Sequence, residues 1–365
     1  MKEGFLVQEK TVKIIIAGGG TGGHLFPGIA VAEELLKRNR QNNVLFIGTE
    51  RGIEKKILGT LGFQLCLLDV EGIKGRGLRI FTALLKIPRS VIQSYRIIRQ
   101  FSPDFVIGVG GYASGPAVMT AHFMGIRTAI MEQNAVPGLT NKILGKCAER
   151  IFITFPDTKK WFAEKKTIIS GNPVRLAFLE NRKHPIKKED KFTILIFGGS
   201  QGAHAINMAV TDALPHLHEI QNELKIIHQT GEKDLIEVSQ QYKNYAMDAH
   251  VVPFIMNMAE QYNASDLLIC RAGATSIAEI TACGKAAILI PFPFAVNDHQ
   301  TKNAEVLAHS KAAMLIHEKN LSGQVLAEII EQLYWNPHVI KEMAENSSRL
   351  GNRKAASDIV DALIK

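Results

Sequence analysis

The sequence lacks any apolar run long enough to cross a bilayer. Its longest strongly apolar stretches, such as Ala286 to Val296, fall far short of the ~20 residues that a span requires. The opening segment, MKEGFLVQEK, is charged and carries no apolar region of the signal-peptide kind. Any membrane contact is therefore expected to be peripheral. Cysteine is sparse: Cys66, Cys147, Cys270 and Cys283 are scattered, with no close pair at metal-ligand spacing. They read as reduced core thiols. No zinc-finger spacing, RNA-recognition signature or basic tail is present, which sets nucleic acid aside as a partner. No D-x-D metal motif stands where a nucleotide diphosphate would need one, so neither metal nor cofactor is expected.

What is present is an ordinary globular mix, 46% hydrophobic and 21% charged, which argues against extensive disorder. A chain of 365 residues suggests two domains. The formal charge of +8 favours acidic partners, such as phosphorylated substrates or anionic lipid.

A buried-strand pattern over Val12 to Ala17 runs into GGGTGGH (Gly18 to His24), then a helical stretch over Pro27 to Arg38 and a strand over Asn43 to Gly48. That order opens a βαβ unit. The pattern recurs where FTILIF (Phe192 to Phe197) runs into GGSQGAH (Gly198 to His204), 180 residues after the first glycine turn. Asp266 to Cys270 reads as a strand, Gly273 to Cys283 as a helix and Ala286 to Pro291 as a strand. Alternation of this kind implies parallel sheets with covered faces. The reading is an α/β chain of two doubly wound halves, 1–170 and 191–365, joined by a charged, proline-bearing linker at 171–190. The last helical segment, about Pro337 to Lys365, can pack on either half.

Gly18, Gly20 and Gly23 form a G-x-G-x-x-G whose default reading is a dinucleotide site. Such a site wants an acid about 20 residues on, closing the second strand, and Glu50 comes later than ideal. Two glycine turns in two halves suit a nucleotide diphosphate on one side and an acceptor on the other. Ser200, with the amides of Gly199 to Gly202, is placed to cradle a diphosphate. A third glycine-rich segment, GVGGYASG, follows the strand Phe105 to Ile107, and Glu132-Gln133-Asn134 follows the strand Thr128 to Met131. Both lie where open α/β sheets bind ligands, at strand carboxyl ends.

Taken together, GGGTGGH, GVGGYASGP, EQNAVPGLTNK, GNPVR, GGSQGAHAIN, RAGATSIAEI and PFPFAVNDHQTKNAE resemble the MurG family of glycosyltransferases, in order, from about Val12 to Glu305. The resemblance implies a GT-B fold, two Rossmann-like domains facing a deep cleft. It implies inverting, metal-independent transfer of N-acetylglucosamine from UDP-GlcNAc to lipid I, undecaprenyl-pyrophosphoryl-MurNAc-pentapeptide. The expected place is the cytoplasmic face of the bacterial inner membrane, with other cell-wall synthesis proteins as candidate partners. Thr21, Gly22 and Gly23 match the loop near donor sugar and acceptor, and Asn134 matches a donor-contacting asparagine. Arg175 and Ser200 match nucleotide-site positions, and Ile255 the residue whose backbone meets uracil. Ala274, Thr275, Ser276, Ile277, Ala278 and Glu279 match the ribose and phosphate segment, with Glu279 on the ribose hydroxyls. Gln300 matches a glutamine reaching the sugar hydroxyls. Met131 departs from the family, where a histidine is common.

Inverting transfer needs a base for the acceptor hydroxyl and groups that stabilise departing UDP. His24 closes the first glycine loop and suits the base; loop-capping is its other role, and Glu132 is a rival base or an orienter. Tyr112 is expected to line the acceptor site. Between Gly72 and Phe101 the chain mixes apolar residues, Ile80, Phe81 and Leu84 among them, with Lys74, Arg76, Arg79, Lys86, Arg89, Arg96 and Arg99, and has no acid. This suits docking on an anionic membrane surface. A solvated amphipathic helix is the plainer reading. Another lipid-directed GT-B glycosyltransferase and a non-catalytic UDP-sugar-binding protein stay open as alternatives.

Overall fold

The computed structural model describes residues 11–50, 54–70, 80–180, 191–199 and 201–364, without the side chains of residues 56 and 80–87. Two compact units emerge. Unit 1 comprises Met1–Gln133, Pro137–Pro173 and Lys354–Lys365; unit 2 comprises Asn134–Val136 and Val174–Arg353. Residues 181–190 of the expected linker lie outside the described residues.

Unit 1 runs β1 (Lys13–Gly18), α1 (Gly22–Arg38), β2 (Asn43–Thr49), α2 (Glu54–Leu61), β3 (Gln64–Leu68), α3 (Ile80–Phe101), β4 (Phe105–Gly110), α4 (Ser114–Phe123), β5 (Arg127–Glu132), α5 (Leu139–Leu144), β6 (Arg150–Ile153) and β7 (Thr167–Ile169). Its seven strands pair in parallel in the order β3-β2-β1-β4-β5-β6-β7. Unit 2 runs α6 (Leu176–Glu180), β8 (Phe192–Phe197), α7 (His204–Ala213), β9 (Leu224–Gln229), α8 (Leu235–Asn244), β10 (Ala249–Val252), α9 (Met258–Ala264), β11 (Leu267–Cys270), α10 (Ala274–Cys283), β12 (Ala286–Leu289), α11 (His299–His309), β13 (Ala313–Leu315), α12 (Gly323–Trp335) and α13 (Pro337–Leu350). Its six parallel strands follow β10-β9-β8-β11-β12-β13. Both sheets reverse direction beside their first strand, between β1 and β4 and between β8 and β11. In doubly wound sheets a ligand crevice opens at that switch point.

The central strands, β1, β4, β8 and β11, are mainly apolar because helices cover both faces. Ile14 and Ile16 of β1 point to one core with Leu25 and Ile29 of α1, while Ile15 and Ala17 point to the other with Ala117 and Val118 of α4. Helix α1 begins at Gly22, five residues before the sequence pattern at Pro27 suggests, so the second half of the glycine turn is already helical. The last helical segment is two helices: α13 packs on α10 in unit 2, and α14 (Ala355–Ile364) packs on α1 in unit 1. Ile359, Val360 and Leu363 bury against the core that holds Ile29 and Leu35. Arg38 clamps the pair, reaching Asp361 at 2.5 Å and the Ser357 hydroxyl at 2.8 Å.

Candidate functional site

At the unit 1 switch point the ends of β1 and β4 are stitched together. The pairing register slips between Ala17 and Gly18. The Ser114 hydroxyl accepts from the Gly110 amide at 3.0 Å and donates to the Ala17 carbonyl at 2.7 Å. Gly19 N–H donates to the Gly110 carbonyl at 3.3 Å. Gly110, at φ +97°, lies under the His24 ring, where an added Cβ would sit 2.5 Å from Nδ1. A side chain there would evict the imidazole. Thr21 is extended and precedes α1, whose first residues, Gly22 and Gly23, present the helix amino end. Tyr112, just beyond β4, is exposed. The structure thus gathers Thr21 to His24 with Gly110 and Gly111 at one edge.

Glu132 ends β5 and is buried. Its Oε2 accepts from the Gly138 amide at 3.1 Å and from Asn141 Nδ2 at 2.8 Å, pinning the start of α5. Beside it Gln133 Nε2 donates to the Val109 carbonyl at 3.0 Å. Glu50 is exposed; the acid that reaches the glycine loop is Glu54, whose Oε1 accepts from Gly20 N–H at 2.6 Å.

In unit 2 the amino end of α10 opens directly after β11, capped by Gly273, so Ala274, Thr275 and Ser276 form its first turn. Ile277, Ala278 and Glu279 are buried one turn further. Glu279 Oε1 accepts from Arg175 Nη2 at 3.1 Å, so two residues assigned to separate nucleotide contacts pair with each other. Burial pushes the Glu279 carboxyl above its usual range, and the Arg175 guanidinium pulls it back. Asn134 belongs to unit 2 by its contacts: the neighbouring Ala135 amide donates to Asn303 Oδ1 at 3.2 Å, and Asn303 Nδ2 donates to the Ala272 carbonyl, also at 3.2 Å. Gln300, three residues before Asn303 on α11, accepts from the Phe292 amide at 3.0 Å. Asn134, Gln300 and the start of α10 therefore share one region.

Ser200 lies outside the described residues. Its loop neighbour Gly199 is held by Gln229, whose Nε2 donates to the Gly199 carbonyl at 2.8 Å. The same side chain accepts from the Ile255 amide at 2.8 Å through Oε1. Gln229 thus ties the second glycine loop to the segment matched to uracil recognition. Neither Gln229 nor Glu54 belongs to a glycine motif. The signals were an amide at a strand's carboxyl end and an acid opening the helix after β2.

The glycosyltransferase family 28 N-terminal domain matches residues 14–153, and its C-terminal domain matches residues 193–362. A UDP-N-acetylglucosamine–N-acetylmuramyl-(pentapeptide) pyrophosphoryl-undecaprenol N-acetylglucosamine transferase from Syntrophus aciditrophicus (strain SB) is 61% identical, covering 96% of this chain and 98% of that protein. The enzyme of the same name from Citrifermentans bemidjiense is 48% identical over 97% of this chain and 99% of its own. The crystal structure of Acinetobacter baumannii MurG superposes with a TM-score of 0.76 at 32% identity, covering 96% of this chain and 99% of that one. With two parallel-sheet Rossmann-like units of the GT-B class and this identity along nearly its whole length, the chain belongs to the MurG family of N-acetylglucosaminyltransferases.

Proposed function

We propose that the protein transfers N-acetylglucosamine from UDP-GlcNAc to lipid I, yielding lipid II and UDP for peptidoglycan synthesis. The observation that carries this reading is 61% identity over 353 residues with a transferase of that name.

In this reading unit 2 takes the donor. The first turn of α10, Ala274 to Ser276, offers amides and a partial positive charge to the diphosphate, joined by Arg175 and Ser200. Glu279 accepts from the ribose hydroxyls, the Ile255 backbone reads uracil, and Asn134 and Gln300 reach the sugar. Unit 1 takes the acceptor along Thr21, Gly22, Gly23 and Tyr112. The acceptor hydroxyl attacks the anomeric carbon as His24 takes its proton; the bond from that carbon to the UDP oxygen breaks, and configuration inverts. Glu132, engaged with Gly138 and Asn141, supports the loop that follows β5 and is the second candidate for the proton. Amides, Arg175 and Ser200 carry the leaving charge without a metal.

The second element of the proposal is peripheral docking at the cytoplasmic face of the membrane through α3. Among the described residues no helix is long and apolar enough to cross a membrane. On α3, Val91, Ile92 and Tyr95 are exposed beside Arg89, Arg96 and Arg99. Apolar side chains among cations, with no acid, fit an anionic headgroup layer. Lys74, Arg76 and Arg79 lie outside the described residues, and so do the side chains of Ile80, Phe81, Leu84 and Lys86 at the start of α3.

Radiolabel transfer from UDP-GlcNAc to a lipid I analogue, with EDTA present, tests the reading. Label should reach the lipid, and His24→Ala should slow transfer about 10²–10⁴-fold while UDP-GlcNAc still binds. Release of UDP without a glycosylated acceptor, or binding without turnover, would sink it. If Glu132→Ala slows transfer by that factor and His24→Ala does not, the base assignments exchange.

A further inference from the structure

Gln229 closes β9 and is buried, between the carboxyl ends of β8 and β10. Phe197, its neighbour on β8, leads into the second glycine loop; Val252, its neighbour on β10, leads into Pro253 to Ile255. Its side chain spends one end on each: Nε2 donates to the Gly199 carbonyl and Oε1 accepts from the Ile255 amide, both at 2.8 Å. Only one orientation of the amide serves both. Reversed, its N–H groups would meet the Ile255 N–H and its oxygen the Gly199 carbonyl. Both partners are main chain, so the side chain sets backbone position.

The tail of the glycine loop is seated by steric contact. A Cβ on Gly202, at φ +76°, would collide with the Thr230 carbonyl, and one on Gly231, at φ +78°, with the Gln201 carbonyl. The head of the loop is different. Around Gly199, at φ +92°, a Cβ would meet nothing within 4 Å. Its carbonyl accepts from Gly202 N–H at 3.0 Å and from Gln229. Glycine has more backbone freedom than any other residue, so ties of this kind decide where the loop's head rests.

We infer that Gln229 is a positioning residue of the donor site. It locks the loop assigned to the diphosphate to the segment assigned to uracil, so base and diphosphate are recognised as one unit. The inference rests on the transferase reading above and adds how its donor site is held together. A ligand that spans both contacts gains from having their spacing set before it arrives. A fragment that touches one contact gains nothing from the spacing.

The test compares wild type, Gln229→Ala and Gln229→Glu as full-length protein at pH 8. UDP-GlcNAc binding is measured by calorimetry, KM for donor and acceptor by transfer assay, and inhibition by UDP and by uridine against UDP-GlcNAc. Gln229→Ala should weaken UDP-GlcNAc binding and raise donor KM roughly tenfold, the scale of one or two net hydrogen bonds. Acceptor KM should hold within about twofold, because the acceptor contacts lie in unit 1. Gln229→Glu keeps an oxygen for the Ile255 amide but turns a carboxylate on the Gly199 carbonyl. Uridine inhibition should therefore hold within about twofold while UDP inhibition weakens roughly tenfold. Unchanged UDP affinity in either variant would overturn the inference. So would acceptor KM rising in step with donor KM, or Gln229→Glu losing uridine and UDP in equal proportion. Wild type that binds no UDP-GlcNAc fails the transferase reading instead. In that case Ile255 amide exchange, faster in Gln229→Ala than in Gln229→Glu, still reads the tie. Should Gln229→Ala not fold, the UDP-to-uridine ratio of Gln229→Glu decides.

Discussion

Glu279 shows what burial does to a single group. It sits 6% exposed, its carboxyl pushed up by loss of water and drawn back by Arg175 at 3.1 Å. If the ionised form accepts ribose hydroxyls, UDP-GlcNAc affinity is full above that raised pKa and falls as pH drops through it. Arg175→Ala removes the pull downward, so the acid limb of binding should move to higher pH, with affinity at neutral pH lower by about tenfold, or ~1.4 kcal/mol. Calorimetric titration of UDP-GlcNAc across pH checks both; an unmoved limb would detach Arg175 from this role. The residues of the motifs were legible because glycine and acid types at strand ends carry their chemistry with them. Glu54 and Gln229 were not. In the sequence Glu54 is one acid in a charged stretch, further from the second strand than Glu50, which already comes later than a dinucleotide site wants. Only α2 turning Glu54 inward, to 0% exposure, gives it the Gly20 amide.

Elements were read more securely than residues. β8 falls over Phe192–Phe197 as its unbroken apolar run requires, and the helix after β11 begins at Ala274, one residue from its expected start. α1 is one exception, since glycines at its head mask helix periodicity, and the last segment is another, splitting into α13 and α14. On α3 the exposed Val91, Ile92 and Tyr95 stand beside cations, and Ile92 and Tyr95 line a shallow groove with Arg96, Arg99 and Gln100. Replacing Ile92 with Asp and Tyr95 with Ser should weaken cosedimentation with anionic vesicles several-fold, without changing the melting temperature. Binding should also weaken as salt rises, because the Debye length shrinks from about 10 Å at 0.1 M to about 3 Å at 1 M. Vesicle binding indifferent to both would refute docking through α3.

The fold as a whole depends on groups buried in one protonation state. His228 is fully buried in unit 2, its Nδ1 2.9 Å from the Tyr242 hydroxyl and its Nε2 3.0 Å from Asn207 Oδ1. Burial lowers its pKa to about 3, against a small opposing pull from Asp234. The unfolded chain binds this proton below about pH 6.5 and the folded chain does not, so the contribution is intact above pH 6.5 and is lost as pH falls toward 3. Between those limits unfolding free energy should fall by roughly 1.4 kcal/mol per pH unit from this group alone. His228→Gln should show a shallower acid slope in denaturant titrations; an equal slope would remove His228 as the source. The sequence by itself determined two parallel α/β halves, the glycine turns and the family, because strand runs, turn chemistry and identity are local or linear properties. Tertiary structure alone decided the strand order, the return of α14 to α1, the Arg175–Glu279 pairing and the inward turns of Glu54 and Gln229. Each depends on residues far apart in the chain meeting in space, and on which polar groups must be satisfied once water is excluded.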